Sequence, residues 1–340
     1  MPSNKPNAAD FGISIVNSGA GQLVLFRYCD AHFPPIRARL VSTTAAITEA
    51  ISVRYADLDV QDDETVLAAL AEGQERAVAA ARAAIPAIAA AAGLMTDRLA
   101  GGGRLIYVGA GSSAGVAVQD GSELPGTFGI ARDRIVFLIA GGLAALTDID
   151  GAAEDDIASA RQEIATLGPL DRDVVVAVSA SGSTPFTLAA AEATKAAGAA
   201  LIGIANNADT PLLTLADRPI FLDSGPEVVA GSTRMAAGTA QKSALGLLST
   251  LVAVRLGHVH GGMMVGVRAD NAKLRERARR IVGTITGARE EAAARAIEAS
   301  GGDVKTAVLI CAGADAETAA RVLAGAEGNL RRALATIADR

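Results

Sequence analysis

Between positions 62 and 99 the apolar residues Val66, Leu67, Leu70, Val78, Ala81, Ile85 and Ile88 recur at helical spacing on an alanine background. Asp62-Asp63 opens the stretch and Gly101-Gly102-Gly103 closes it, predicting one or two helices broken near Pro86. The pattern then shortens. RLIYV (104–108), IVFLI (135–139), DVVVAVS (173–179), LIGIA (201–205) and PIFL (219–222) are short runs rich in β-branched and aliphatic residues. Helical stretches are expected after GAGSSA (109–114), at 152–166 and at 186–197. Short apolar strands alternating with helices predict an α/β fold, a mainly parallel sheet sandwiched by helices. A long helix from just after Ser232 to about Leu256, a Gly- and Met-rich turn (257–266) and three or four short helices over 270–337 complete the expectation. Three parts follow: a poorly ordered extension (1–42), the sheet-bearing domain (43–266) and a small helical C-terminal domain (267–340).

Two polar segments, GAGSSA and SASGSTP (179–185), directly follow predicted strands. They therefore lie at the carboxyl edge, where open α/β sheets bind ligands. Gly109 and Gly111 allow close backbone approach, while Ser112, Ser113, Ser179, Ser181, Ser183 and Thr184 supply hydroxyls and amides. A third segment, GPEVVAGSTRMAAGTAQK (225–242), runs from a Gly-Pro turn through Glu227 to Ser232 and Thr233, the expected N-caps of a helix carrying Gln241 and Lys242. Free amides at a helix start favour an anion, so three such segments predict a cradle for a phosphorylated ligand. GAGSSA is neither a dinucleotide fingerprint nor a P-loop, since it lacks the third glycine in register and no Gly-Lys-Ser/Thr follows.

Composition narrows the function further. The 340 residues allow one large or two modest domains. A net charge of −6, 3% aromatics and no basic block lack the footprint of a nucleic-acid binder, so phosphate binding is left to local loops. Cys29 and Cys311 support neither a disulfide framework nor a zinc site, which predicts a reducing cytoplasm. His258 and His260 form a pair whose only further histidine is His32, so exposed or helix-end histidines are expected rather than a metal site. No metal and no cofactor are called for. No run of 18 apolar residues occurs, and residues 1–33 fit a secretory signal poorly, so no membrane partner is expected.

Paired serine loops on a parallel sheet resemble the sugar isomerase (SIS) fold. Within it the chain resembles the N-acetylmuramic acid 6-phosphate etherases and their relatives, the glucokinase regulatory proteins. The resemblance rests on GGGRLIYVGAGSSA, DGSELPGTFG (120–129), IAGG (139–142), GAAEDD (151–156), DVVVAVSASGSTPF and the 225–242 segment, in the family's order and spacing. TE (48–49) with DLD (57–59), LSTLVAVRLG (248–257) and DNAKLRERA (270–278) extend it over about 45–335. The resemblance implies cleavage of a D-lactyl ether by elimination and hydration, in a homodimer whose sites are completed across subunits. It implies that Glu154 takes the C2 proton, and that Glu123 protonates the departing lactate and then activates water. Read without it, Glu154 is a helix-start acid beside Asp155 and Asp156, whereas Glu123 lies between a Gly-Ser pair and a Leu-Pro-Gly turn that ask for no carboxylate. Ser122, Glu227, Ser232, Thr233 and Lys242 join the loop hydroxyls as candidate substrate ligands.

Some positions depart from the family's pattern. The first loop reads Gly111-Ser112-Ser113-Ala114-Gly115 where the family has an arginine, Ser183 replaces an arginine in the second, and Ala236 stands where a lysine is usual. A desolvated charge-assisted bond contributes roughly 1.5–3 kcal/mol, so these losses imply a weaker phosphate grip or an altered ligand, with Lys242 and Arg234 as remaining cations. A non-catalytic sugar-phosphate-binding regulator and an aldose–ketose sugar phosphate isomerase remain the alternatives to the lyase.

Overall fold

The protein is described by a computed structural model covering residues 46–148, 151–267 and 271–338, with the backbone of two further strands, β1 (Gly12–Ser18) and β2 (Gly21–Arg27). These two pair antiparallel. The expectation of poor order over 1–42 otherwise falls outside the described residues.

Three one-turn 3-10 segments between Ile47 and Val60 lead into α1 (Asp63–Ala83), where the Asp62 side chain accepts from the Thr65 amide at 2.9 Å. The break falls at Ala84, and α2 (Ile85–Ala100) takes Pro86 into its first turn. A proline there forfeits no hydrogen bond, so it opens the second helix. Then follow β3 (Leu105–Gly109), α3 (Gly111–Phe128), β4 (Ile135–Ile139) and α4 (Ile157–Thr166). Next come β5 (Val174–Val178), α5 (Pro185–Ala196), β6 (Ala200–Ala205), α6 (Pro211–Leu215), β7 (Arg218–Phe221) and α7 (Ala236–Arg255). The helix expected from 152 begins later: Gly151–Asp155 form a 3-10 segment, and Asp156 caps α4 by accepting from the Ser159 amide at 2.9 Å.

The sheet is parallel throughout, in the order β4-β3-β5-β6-β7. Side chains alternate across it. Leu105, Tyr107, Val174 and Val176 pack against Ile88 and Met95 of α2, Leu124 of α3 and Leu248 of α7. Ile106, Val108, Val175 and Ala177 pack against Ile164 of α4 and Ala190 of α5. With helices on both faces the inner strands β3, β5 and β6 are fully buried, which explains their continuous apolar runs, while the edge strand β7 is mostly exposed. The chain leaves β3 toward β4 on one side and β5 toward β6 on the other, so a crevice opens between the β3 and β5 carboxyl ends.

The turn at 257–266 contains a small hairpin of β8 (Val259–His260) and β9 (Met263–Met264). Five helices follow where three or four were expected: α8 (Ala272–Thr286), α9 (Glu290–Ala299), α10 (Val304–Cys311), α11 (Ala316–Gly325) and α12 (Leu330–Ala338). The higher number follows from local capping. Asn271, Asp303 and Asp315 each accept from the amide three residues on, at 2.9, 2.7 and 2.7 Å, so short segments start separately. They close over a second core containing Val265, Val282, Ile297, Val308 and Leu330.

His258, just beyond α7, stands where the two cores meet. It is half-buried rather than exposed, and its Nδ1 is buried without a hydrogen-bond partner. Burial pushes it down to about 4, helped by Lys305 and Arg134 and opposed by Asp303. The folded state thus keeps His258 neutral while the unfolded chain protonates it near 6.5. Stability present above about pH 6.5 is therefore lost as pH falls toward 4, by as much as ~3 kcal/mol. His258→Gln should flatten that part of a urea-midpoint-against-pH curve; an unchanged slope would exclude His258 as its source.

Among the described residues no single helix is long and apolar enough to cross a membrane; α1 and α2 pass that test only together, across a 58° bend.

Candidate active site

The crevice between β3 and β5 is where the sequence-predicted residues gather. Gly109 and Val178 are paired in register, so the segments that follow them start side by side. Ala110 is still extended, and Gly111, at φ +53°, turns the chain into α3. The positive φ favours glycine at 111, and a Cβ there would meet Glu154 Oε1 at 2.6 Å, so the carboxylate stands directly against the start of α3. Ser112 and Ser113 consequently lie in the first turn of α3, Ser113 buried and Ser112 half-buried. Ser112 Oγ is 3.4 Å from Thr233 Oγ1, which brings the 231–235 loop onto the same rim.

The second loop is organised by its own hydroxyls. Ser179 Oγ lies 2.9 Å from Thr184 Oγ1 and 3.2 Å from Ser181 Oγ, and it accepts from the Gly182 amide at 3.0 Å. Ser181 Oγ accepts from the Ser183 amide at 3.2 Å, while the Ser183 side chain is exposed. These contacts hold the loop in one shape ahead of any ligand, at the start of α5.

Glu154, on its 3-10 segment, is half-buried. Desolvation raises its carboxyl above the ordinary glutamate value, and the neighbouring Asp155 carboxylate adds to the rise. A carboxylate held this way is a stronger base than one in water.

The 225–242 segment folds differently from the sequence expectation. α7 starts at Ala236, not just after Ser232, and neither Ser232 nor Thr233 caps it. The cap is Glu227: its two carboxylate oxygens accept from the Ala236 and Ala237 amides, both at 2.9 Å, and it is only 1% exposed. The anion predicted for this helix start is thus the chain's own side chain, leaving the Glu227 carboxylate committed. Glu227→Ala should lower stability by about 1–3 kcal/mol, since it leaves two amides without their charged acceptor. A urea midpoint equal to that of the wild type, combined with a raised KM for a sugar phosphate, would overturn this assignment.

Three residues expected at the site lie elsewhere. Glu123 is on the continuous helix α3, which carries Pro125 inside it, and not at a turn. It lines a cavity between α3 and α7, together with Lys242. From Gly111 to Glu123 is twelve helical residues, about 18 Å at ~1.5 Å each. Within one chain Glu123 and Lys242 are therefore remote from Glu154. Ser122 is exposed on α3 and donates to the Gln119 carbonyl at 3.1 Å. Arg234 is exposed beside Thr233, leaving it the called cation nearest the serine loops.

Residues 48–49 also contribute to this rim. Thr48 is buried; Asn207 donates to its Oγ1 at 3.1 Å and to the Ala180 carbonyl at 2.8 Å, and the Gly231 amide donates to the Thr48 carbonyl at 2.9 Å. Glu49 rests against Gly231, where a Cβ would meet its Oε2 at 2.9 Å. The signal was Asn206-Asn207 at the end of a predicted strand, polar residues at the ligand-binding edge. Among the described residues no group of three or more His, Cys, Asp or Glu side chains is placed to hold a metal ion.

The fold is an α/β one with two serine-rich loops at the carboxyl edge of its parallel sheet, and residues 70–206 match the SIS domain family. The chain is 48% identical over 263 residues to an N-acetylmuramic acid 6-phosphate etherase of Deinococcus radiodurans, covering 77% of this chain and 86% of the relative. It is 46% identical to one from Streptomyces avermitilis, covering 90% and 97%. This chain belongs to the N-acetylmuramic acid 6-phosphate etherase family. Among solved structures, a phosphoheptose isomerase from Francisella tularensis matches at TM-score 0.43 and 19% identity, covering 56% of this chain and 98% of that one.

Proposed function

We propose that the protein is a homodimeric carbon–oxygen lyase that converts N-acetylmuramic acid 6-phosphate and water to N-acetylglucosamine 6-phosphate and D-lactate, in cytoplasmic recycling of cell-wall sugars. The observation that carries the activity is the 48% identity to a relative of that name over 77% of the chain. It favours the lyase over the regulator and the isomerase.

The chemistry has two difficulties, and the site has a group for each. The hydrogen at C2 becomes acidic once the sugar ring opens to the aldehyde, and a nearby base must take it. Glu154 suits this task, because its raised basicity and its place against Gly111 set it beside the serine loops that hold the phosphate. The ether oxygen at C3 is a poor leaving group and needs a proton as it departs. Glu123 supplies that proton, lactate leaves, and a C2–C3 double bond forms. Glu123 then takes a proton from water as its oxygen adds to C3, and Glu154 returns a proton to C2. Two carboxyls in unlike settings divide acid and base work in this way.

Phosphate binding falls to Ser112, Ser113, Ser179, Ser181, Ser183 and Thr184, with the amides at the starts of α3 and α5. Ser232, Thr233 and Arg234 close the rim. The separation of about 18 Å between Glu123 and the first turn of α3 supports a site shared by two copies, with Glu123 of one serving Glu154 of the other. Incubation with N-acetylmuramic acid 6-phosphate should release D-lactate and N-acetylglucosamine 6-phosphate in equal amounts. Tight binding of the sugar phosphate with no lactate would make the protein a regulator.

A further inference from the structure

The cavity between α3 and α7 has a volume of about 190 Å³. By the same measure a single water needs only about 10–15 Å³, so the cavity has room for a three-carbon acid. Glu123 and Lys242 stand at its exposed rim, and among the described residues neither side chain makes an ion pair or a hydrogen bond. Behind them Asp120 is engaged on both oxygens, by Tyr107 Oη at 2.6 Å and Ser249 Oγ at 2.8 Å. Those bonds tie β3, α3 and α7 together around the cavity, fixing the spacing of the helix turns that carry the two rim residues. Val116, Leu124 and Phe128 supply an apolar part of the wall, beside the polar Gln119, Thr127 and Thr250.

Lys242 is the one cation among the described lining residues. It lies with Glu123, away from the serine loops that would hold a phosphate. An acid that protonates a lactyl ether oxygen necessarily stands beside the rest of the lactyl group, because the methyl-bearing carbon is bonded to that oxygen and the carboxylate to that carbon. A cation in the acid's own cavity is therefore within reach of that carboxylate. The apolar wall suits the methyl group. A general acid is neutral when it donates its proton, so Glu123 in that role does not repel the lactyl carboxylate, and both Asp120 oxygens already accept from hydroxyl donors.

We infer that this cavity is the subsite for the lactyl side chain, a short 2-hydroxy acid, and that Lys242 recognises its carboxylate and not the sugar's phosphate. The inference rests on the etherase reading and on Glu123 as the acid. It makes Lys242 the residue that distinguishes substrate from product, which share the phosphate and the acetamido group and differ in the lactyl ether.

The test uses the full chain with Glu154→Gln, so that substrate binds without turnover. Calorimetry would measure N-acetylmuramic acid 6-phosphate and N-acetylglucosamine 6-phosphate with Lys242, Lys242→Met and Lys242→Arg. Lys242→Met should weaken the lactyl sugar roughly ten- to a hundredfold and leave the other within about twofold, while Lys242→Arg retains most of the affinity. Equal losses for both sugars would make Lys242 a phosphate ligand and overturn the inference, as would no change for either. A wild-type arm separates this from the underlying reading: absence of lactate release there removes the etherase assignment itself, whereas an active wild type with a flat Lys242 result removes the lactyl subsite alone.

Discussion

Glu154→Gln abolishes most lactate release, lowering kcat by a factor of roughly 10²–10⁴, the usual contribution of a positioned base. KM changes little, because the amide keeps the side chain's shape against Gly111. The pH dependence has a definite sign. Desolvation and Asp155 raise the Glu154 carboxyl above its ordinary 4.5, and a base works only when ionised. Wild-type activity therefore falls on the acid side at a pH above that value, as Glu154 takes up a proton. Stability runs the other way. A carboxyl whose folded value is raised contributes stability at low pH that disappears as pH rises through it. Glu154→Gln should accordingly melt no lower than the wild type at pH 7. A variant with activity within about tenfold of the wild type would remove Glu154 as the base. One that loses both activity and several degrees of Tm would point to a structural role.

Mixing two inactive variants restores activity. If Glu123 of one subunit serves Glu154 of its partner, a heterodimer of Glu123→Ala and Glu154→Ala contains one doubly damaged site and one intact site. Random re-pairing of equal amounts makes half the dimers mixed, so roughly a quarter of wild-type activity returns. If both glutamates acted within a single chain, every subunit in the mixture would lack one of them, and activity would stay at the background of the separate variants. The contrast between background and a quarter is large, and an unmixed control of each variant excludes contamination. Analytical ultracentrifugation of the wild type measures the dimer directly.

The two serine loops were legible for a local reason. A Gly-rich turn after an apolar run places its amides and hydroxyls at the carboxyl edge whichever helices pack around the sheet. Ser112, Ser113, Ser179, Ser181 and Thr184 could be named on that basis, and Glu154 followed from its match to GAAEDD. Glu227 was legible as a residue of interest but its partners were not. Ser-Thr before a helix reads as a cap, yet the helix began at Ala236, and a carboxylate nine residues upstream folded back to its amides. Pro125 and two nearby glycines are helix-breaking signals that place Glu123 at a turn, and packing overrides them. Leu124 and Phe128 are buried against the sheet, and Gly121 fits where Tyr107 and Phe137 leave no room for a Cβ. Lys242 shares a motif with Ser232, but nearly two turns into α7 it faces a different cavity.

By itself the sequence determined the α/β class, the positions of the five parallel strands, the two serine loops and the family. All of these depend on spacing of two to a few residues, on glycine conformations and on the match of short motifs. Only the tertiary structure decided that Glu227 is a helix cap, that Glu123 and Lys242 share a cavity about 18 Å along α3 from the serine loops, and that the carboxylate over Gly111 is Glu154. Those relations join residues far apart in the chain, through the direction of a helix and the closing of one layer on another, and neither is written in any local pattern.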